Sequence, residues 1–195
     1  MIIYAYKEKH DYLLFVDLEF FNPAGEEESH LIQFAGLLFK KVDDGIYQLM
    51  RSFNEYVTDK VCYPFAEYTA ITTNFLEENG VPLKDLVLAI EEDFLDGIDL
   101  DKTLLITHGL KNDRAVMNDN GIKLKKKDGS PIDGYCTFSN SRRILKRSTN
   151  LSLSSICEEA GYYLHNAHNA FSDVWGEVAV FTYIRKIEEQ EKKEC

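Results

Sequence analysis

Cysteine is scarce: four in 195 residues, Cys62, Cys136, Cys157 and Cys195, with no Cys-x2-Cys pair among them. That spacing excludes the common structural zinc motifs and fits reduced thiols in a cytoplasmic protein. No run of about 18 apolar residues exists, so no segment reads as a membrane span. The opening "MIIYAYKEKHDY" is too charged, and its apolar part too short, for a secretory signal. No repeat of tens of residues and no low-complexity linker divides the chain. Positive charge is also short: 22 Lys and Arg stand against 33 Asp and Glu, a net charge of −11. The deficit is uneven. Residues 1–100 hold 7 basic against 20 acidic side chains, and residues 101–195 hold 15 against 13. Such a field repels phosphates at long range, which excludes sequence-blind coating of nucleic acid and leaves room only for local contact. Two basic runs offer it: Lys123, Lys125, Lys126 and Lys127 in "KLKKKDG", and Arg142, Arg143, Lys146 and Arg147 in "RRILKR". Composition leaves open whether these are solvated faces or strand contacts.

What is present is apolar substance. The chain is 45% hydrophobic with 12 Phe and 11 Tyr, enough to fill one sizeable core, and its length favours a single domain over 1–195. "DYLLFVDLEFF" (11–21) reads as a buried strand. "HLIQFAGLLFKK" (30–41) and "GIYQLMRSFNEYV" (45–57) read as two more, joined by a hairpin at "VDDG". Helices are predicted over 72–80, behind a Thr cap, and over 81–97, opened by Pro82 and stopped by Gly97. "KTLLITHG" (102–109) is a further buried strand, and a helix follows over 110–118. "DGSPIDG" (128–134) carries turn chemistry. Helices are again predicted over 139–147, 151–161 and 169–193. Three strands, helices, a strand and more helices make an α/β protein with a mixed sheet covered by helices.

The chemistry concentrates in three places. In "FVDLEF" (15–20), Asp17 and Glu19 leave one face of a strand while Val16, Leu18 and Phe20 leave the other. Two like charges this close, inside an apolar run, disfavour each other's ionised form unless a cation lies between them. Hard oxygen ligands suit magnesium or manganese. The alternative is an edge strand with its acids in water. In "LLITHGLKNDRAV" (104–116), a buried strand ends near His108 and Asp113 follows early in a helix, either at a functional strand end or simply favoured by the helix dipole. In "HNAHNAFSD" (165–173), two histidines three apart precede Asp173, whose helix face continues through Glu177 and is bordered by Val174, Val178 and Phe181.

Taken in order, "VDLE", "HGLKND" and "HNAFSD" resemble the three motifs of the DEDDh exonucleases, a likeness that spans about residues 11–185. "AEYTAITTNFLEENGVPL" (66–83) is similar to the Thr-x-Ile-Thr stretch between the first two motifs. It draws the resemblance toward histone-mRNA 3′ exonucleases and KapD-like bacterial proteins. The sequence departs from the common pattern at Phe20-Phe21, where small polar residues are frequent, at Asn112, and at Val174.

The resemblance implies an RNase H-like fold, with three antiparallel strands plus parallel strands flanked by helices. It implies a 3′–5′ exonuclease that hydrolyses single-stranded nucleic acid, RNA favoured over DNA, and releases 5′-mononucleotides. Two divalent cations, Mg2+ or Mn2+, are implied at Asp17, Glu19, Asp113 and Asp173, with Asp17 bridging, Glu19 and Asp173 completing one position, and Asp113 supporting the other. His168 matches the His-x4-Asp spacing and takes the role of general base, which leaves His165 as a loop residue. The expected substrate contacts are Phe20, Phe21, Ile71, Thr72, Arg142 and Arg143, with Phe138 a further candidate for stacking on a base. The competing expectation is an inactive adaptor on the same fold.

Overall fold

The computed structural model describes residues 1–22, 25–59 and 71–194. Cys62, Cys195 and the 66–70 part of the Thr-x-Ile-Thr stretch lie outside them. Six strands form one sheet: β1 (Ile2–Tyr4), β2 (Tyr12–Phe21), β3 (His30–Asp43), β4 (Ile46–Tyr56), β5 (Thr103–Thr107) and β6 (Asp133–Cys136). The spatial order is β1-β4-β3-β2-β5-β6, antiparallel from β1 to β2 and parallel from β2 to β6. The helices are α1 (Thr73–Asn79), α2 (Leu83–Ala89), α3 (Leu110–Asp119), α4 (Thr137–Ile144), α5 (Leu153–Glu159) and α6 (Ala170–Glu194). None of them is long and apolar enough to cross a membrane.

Period-2 alternation splits the sheet's side chains between two layers. Leu14, Val16 and Leu18 of β2 pack with Phe34 and Leu38 against Leu86, Val116 and Met117 of α2 and α3. Leu13 and Phe15 of β2 pack with Ala35, Leu37 and Ile106 against Val174, Val178 and Phe181 of α6. Asp17 and Glu19 therefore continue the row that α6 covers. α4 and α5 lean on the outer side of α6 through Ile144, Ile156, Val180 and Ile184.

α6 is pinned at both ends. Near its start, the Ala170 N–H donates to Oε1 of buried Gln33 at 3.1 Å, and Gln33 pairs with Glu19 in register. Farther along, Arg185 donates to Glu8 at 2.8 Å, and His10 sits between Glu8 (2.6 Å) and Asp133 (2.9 Å). The start of α6 consequently lies over the carboxyl end of β2.

Two strands differ from the sequence reading. β1 adds a fourth antiparallel strand at the edge, where only Ile3 of its three residues is buried and no alternation is readable. β6 begins inside the stretch that reads as a turn. It is four residues, DGYC, and exists through its pairing with β5. Gly134 lets α3 pack closely there, since a Cβ would stand 2.6 Å from the side-chain ends of both Arg114 and Leu110, which would have to shift. The helix expected over 81–97 ends as a π turn (Ile90–Phe94), which brings the Phe94 ring against Gly36. The helix expected over 139–147 starts earlier and stops at Ile144, before Lys146 takes a left-handed φ of 51°.

Candidate metal centre

Parallel pairing of β2 with β5 puts their carboxyl ends at one edge of the sheet, where catalytic groups of α/β proteins collect. Asp17 and Glu19 end β2 there. A register shift against β3 between Glu19 and Phe20 marks the point where the strand leaves regular pairing. Asp173 lies in the first turn of α6 above them. Carboxylate oxygens of Asp17, Glu19 and Asp173 lie within 4.8 Å of one another. Asp113 enters from the β5–α3 corner, where its Oδ2 accepts the Gly109 N–H at 3.2 Å.

Asp17 and Glu19 feel their acidic neighbours. Burial, then Asp173, Glu19 and Asp113, raises the proton affinity of Asp17 well above the usual carboxylate range. Burial and Asp173 push Glu19 up to about 7. Burial raises Asp113 and Asp173 as well, the latter opposed by a hydrogen bond from His168. Among the described residues, none of the four has an ion-pair partner. Like-charged carboxylates at this separation need a positive charge to coexist in ionised form. Asp173 Oδ1 is buried without a hydrogen-bond partner, and so is Oε2 of Glu177 one turn further along α6. An all-oxygen donor set with orphaned buried oxygens fits the hard divalent cations that the sequence resemblance implies. Asp17, Glu19 and Asp173 have the geometry to share one, with Asp113 beside them.

His168 is exposed, in the loop that leads into α6. Its backbone takes a left-handed φ of 68°, and Asn166 one of 52°. This tight winding aims the His168 N–H at Asp173 Oδ2, 3.0 Å away. His165 faces elsewhere: its ring meets Tyr163 edge-on at 4.6 Å, and its carbonyl accepts from the Ser172 hydroxyl.

The expected substrate contacts divide. Phe138, 41% exposed, stands edge-on to His108 at 5.7 Å, at the same end of the sheet as the acids. Phe20 is half-buried against the α2/α3 core. Phe21 and Ile71 are buried: they pack with Ile32 and Leu76 in a small core beside the site, where burying an aromatic ring and a branched chain is worth more than leaving them open. Thr72 caps α1 by accepting the Phe75 N–H at 3.2 Å. Arg143 is exposed and pairs with Glu188 at 2.7 Å, and Glu188 lies 15 residues beyond Asp173 on α6, about 22 Å along the axis. Arg142 is exposed on the same short helix. The 123–127 run sits at the far end of the sheet, where Lys126 holds Asp133 opposite the start of β5.

Sequence reasoning did not single out Glu177 or His108 as parts of the site. Glu177 is fully buried, and its Oε1 accepts the His108 N–H at 2.6 Å. The signal was an acid one turn after Asp173 on a helix face otherwise made of Val174, Val178 and Phe181.

No family model matches the sequence, and no curated protein sequence matches it. Solved structures do. A 3′-exonuclease recognising the 3′ end of a histone mRNA stem-loop superposes with a TM-score of 0.70 at 15% identity, over 94% of this chain and 84% of that one. The nuclease domain of 3′hExo, a DEDDh family member bound to rAMP, gives 0.69 at 17% identity, over 92% and 93%. Exonuclease I from Methylocaldum szegediense gives 0.66 at 18%, over 93% of this chain and 41% of the other. The fold is that of the DEDDh exonucleases. The RNase H-like sheet expected from the motifs is thereby confirmed, and the histone-mRNA enzymes are among its structural neighbours.

Proposed function

We propose that this chain is a single-domain, metal-dependent 3′–5′ exonuclease. The reading is carried by one observation: Asp17, Glu19 and Asp173 converge from two elements to within 4.8 Å without a cationic partner among the described residues. Two divalent cations, Mg2+ or Mn2+, would neutralise the reacting phosphate, activate water and stabilise the departing 3′ oxygen. Asp17, Glu19, Asp113 and Asp173 would hold them, Asp17 shared between the two, Glu19 and Asp173 serving one and Asp113 the other, and the four carboxylates would balance their charge.

His168 takes the proton from the attacking water. Its exposed ring stays accessible to substrate, while its N–H ties the loop to Asp173. Phe138 offers an open ring on which a terminal base can stack. The products are 5′-mononucleotides. RNA is the favoured substrate, in keeping with the likeness to RNA 3′-end enzymes, and the free thiols of Cys136 and Cys157 suit a cytoplasmic setting.

The test uses equal amounts of single-stranded RNA and DNA, labelled at the 5′ end, with magnesium or manganese. A descending ladder that is faster on RNA is expected. Cleavage of circular single strands overturns the exonuclease reading.

A further inference from the structure

Glu177 is the least explained acid in the molecule. It has no exposed surface, it lies one helical turn beyond Asp173, and it has no ion-pair partner among the described residues. One oxygen is accounted for: Oε1 accepts the His108 N–H at 2.6 Å. That bond joins α6, which carries Asp173, to the β5–α3 corner, which carries Asp113. The second oxygen, Oε2, is buried and accepts nothing. Leaving a carboxylate oxygen buried and unpaired costs more than any packing purpose explains, since a Leu or Met would fill the same space without the penalty. Its neighbours make the cost larger. After burial itself, the negative charges of Asp17 and Asp113 do most to raise its proton affinity.

We infer that Glu177 is a fifth acid of the metal centre, a positioning residue whose charge helps to retain the divalent cations and whose Oε2 accepts hydrogen bonds from water brought in with them. It lies outside the group of oxygens within 4.8 Å, so it acts behind Asp17 and Asp173 and not as a direct ligand. A filled site supplies both things Glu177 lacks, positive charge and donors. The bond to His108 gives it a second effect, since it fixes the spacing of Asp113 and Asp173 across the site. The inference rests on the exonuclease reading of the four acids.

The test is manganese binding, by calorimetry and by the metal-induced rise in melting temperature, in the wild type and in the Glu177→Gln, Glu177→Asp and Asp17→Asn variants. Glu177→Gln keeps an oxygen for the His108 N–H, removes the charge and puts an amide donor in place of the Oε2 acceptor. It is expected to weaken manganese binding about tenfold or more, with a metal-free melting temperature at or above that of the wild type. Glu177→Asp keeps the charge on a shorter stem and is expected to bind within about threefold of the wild type. Wild-type affinity in Glu177→Gln overturns the inference. So does affinity as poor in Glu177→Asp as in Glu177→Gln, or a metal-free Glu177→Gln protein less stable than the wild type, because either result makes the side chain a packing element. If Asp17→Asn also binds manganese like the wild type, the failure belongs to the four-acid reading itself.

Discussion

The backbone N–H of His168 donates to Oδ2 of Asp173 at 3.0 Å, so the loop that carries the proposed base is fastened to the helix that carries a proposed metal ligand. Filling of the metal site and placement of the base are thereby linked through one carboxylate. Asp173 Oδ1 is left buried without a partner and available to a cation.

His168→Ala is expected to cut the rate by about two to four orders of magnitude, the usual loss for a positioned base, with manganese affinity largely kept. His165→Ala is expected to stay near the wild-type rate, because its ring packs on Tyr163. Single-turnover rates of the two variants and the wild type give the comparison. A crippled His165→Ala beside a normal His168→Ala assigns the base to the other histidine.

Asp17→Asn is expected to reduce nuclease activity to background and to make the metal-free protein more stable. The wild-type carboxylate is pushed up by burial and by Asp173, Glu19 and Asp113, and the amide removes that repulsion. Each kcal/mol gained corresponds to about 2–4 °C in Tm at this chain length. Calorimetric melts in chelator decide it, and near-normal turnover in this variant would sink the four-acid assignment.

The metal-free protein should lose stability as pH rises. Glu19 keeps its proton up to about 7 when folded but releases it near 4.5 when unfolded. Between those values the folded state binds more protons than the unfolded state, so the stability contributed by Glu19 is full below about 4.5 and is lost as pH passes about 7. Asp17, Asp113 and Asp173 are shifted in the same direction and steepen the decline. Melting curves from pH 5 to 8 in chelator should fall on these grounds, and saturating manganese should flatten or reverse the trend. A flat chelator series would mean that the acids do not repel one another in solution.

Substrates with a 3′-phosphate, or with a blunt duplex 3′ end, should resist digestion relative to an unmodified single strand. The proposed site takes one strand's terminus among closely grouped carboxylates, which reject additional negative charge. Initial rates on matched oligonucleotides measure this, and equal rates on all three would require a more open site.

Gly36→Ala is expected to lower stability by about 1–3 kcal/mol without changing the metal affinity of the folded protein. A Cβ there would meet the Phe94 ring at 2.7 Å, inside the core on the side of the sheet away from the acids. Denaturant melts and manganese titration separate the two effects.

Asp17, Glu19, Asp113, Asp173 and His168 were singled out in the sequence because strand alternation, a strand end and short motifs in a fixed order are local properties that survive in one dimension, and because the order of those motifs resembles a known family. The same holds for β2, β3, β5 and α6, whose apolar runs are long enough to declare themselves. β6 was not legible: a four-residue strand holding a glycine exists only because β5 offers an edge and α3 crowds that position. The packing of Phe21 and Ile71 and the pairing of Arg143 were hidden for a similar reason. An aromatic ring reads alike whether it stacks on a base or fills a core, and a basic run reads alike whether it meets phosphate or Glu188 on the next helix. Whether an acid stands alone or joins a cluster was likewise decided in three dimensions. The parallel register of β2 and β5, and the anchoring of α6 by Gln33 and Glu8, bring the four acids to one end of the sheet and bury Glu177 behind them. Sequence alone therefore singled out the residues proposed to carry chemistry. The tertiary structure decided which of their charges must be shared, because the repulsion that calls for a cation depends on distance and burial, and neither exists until the chain has folded.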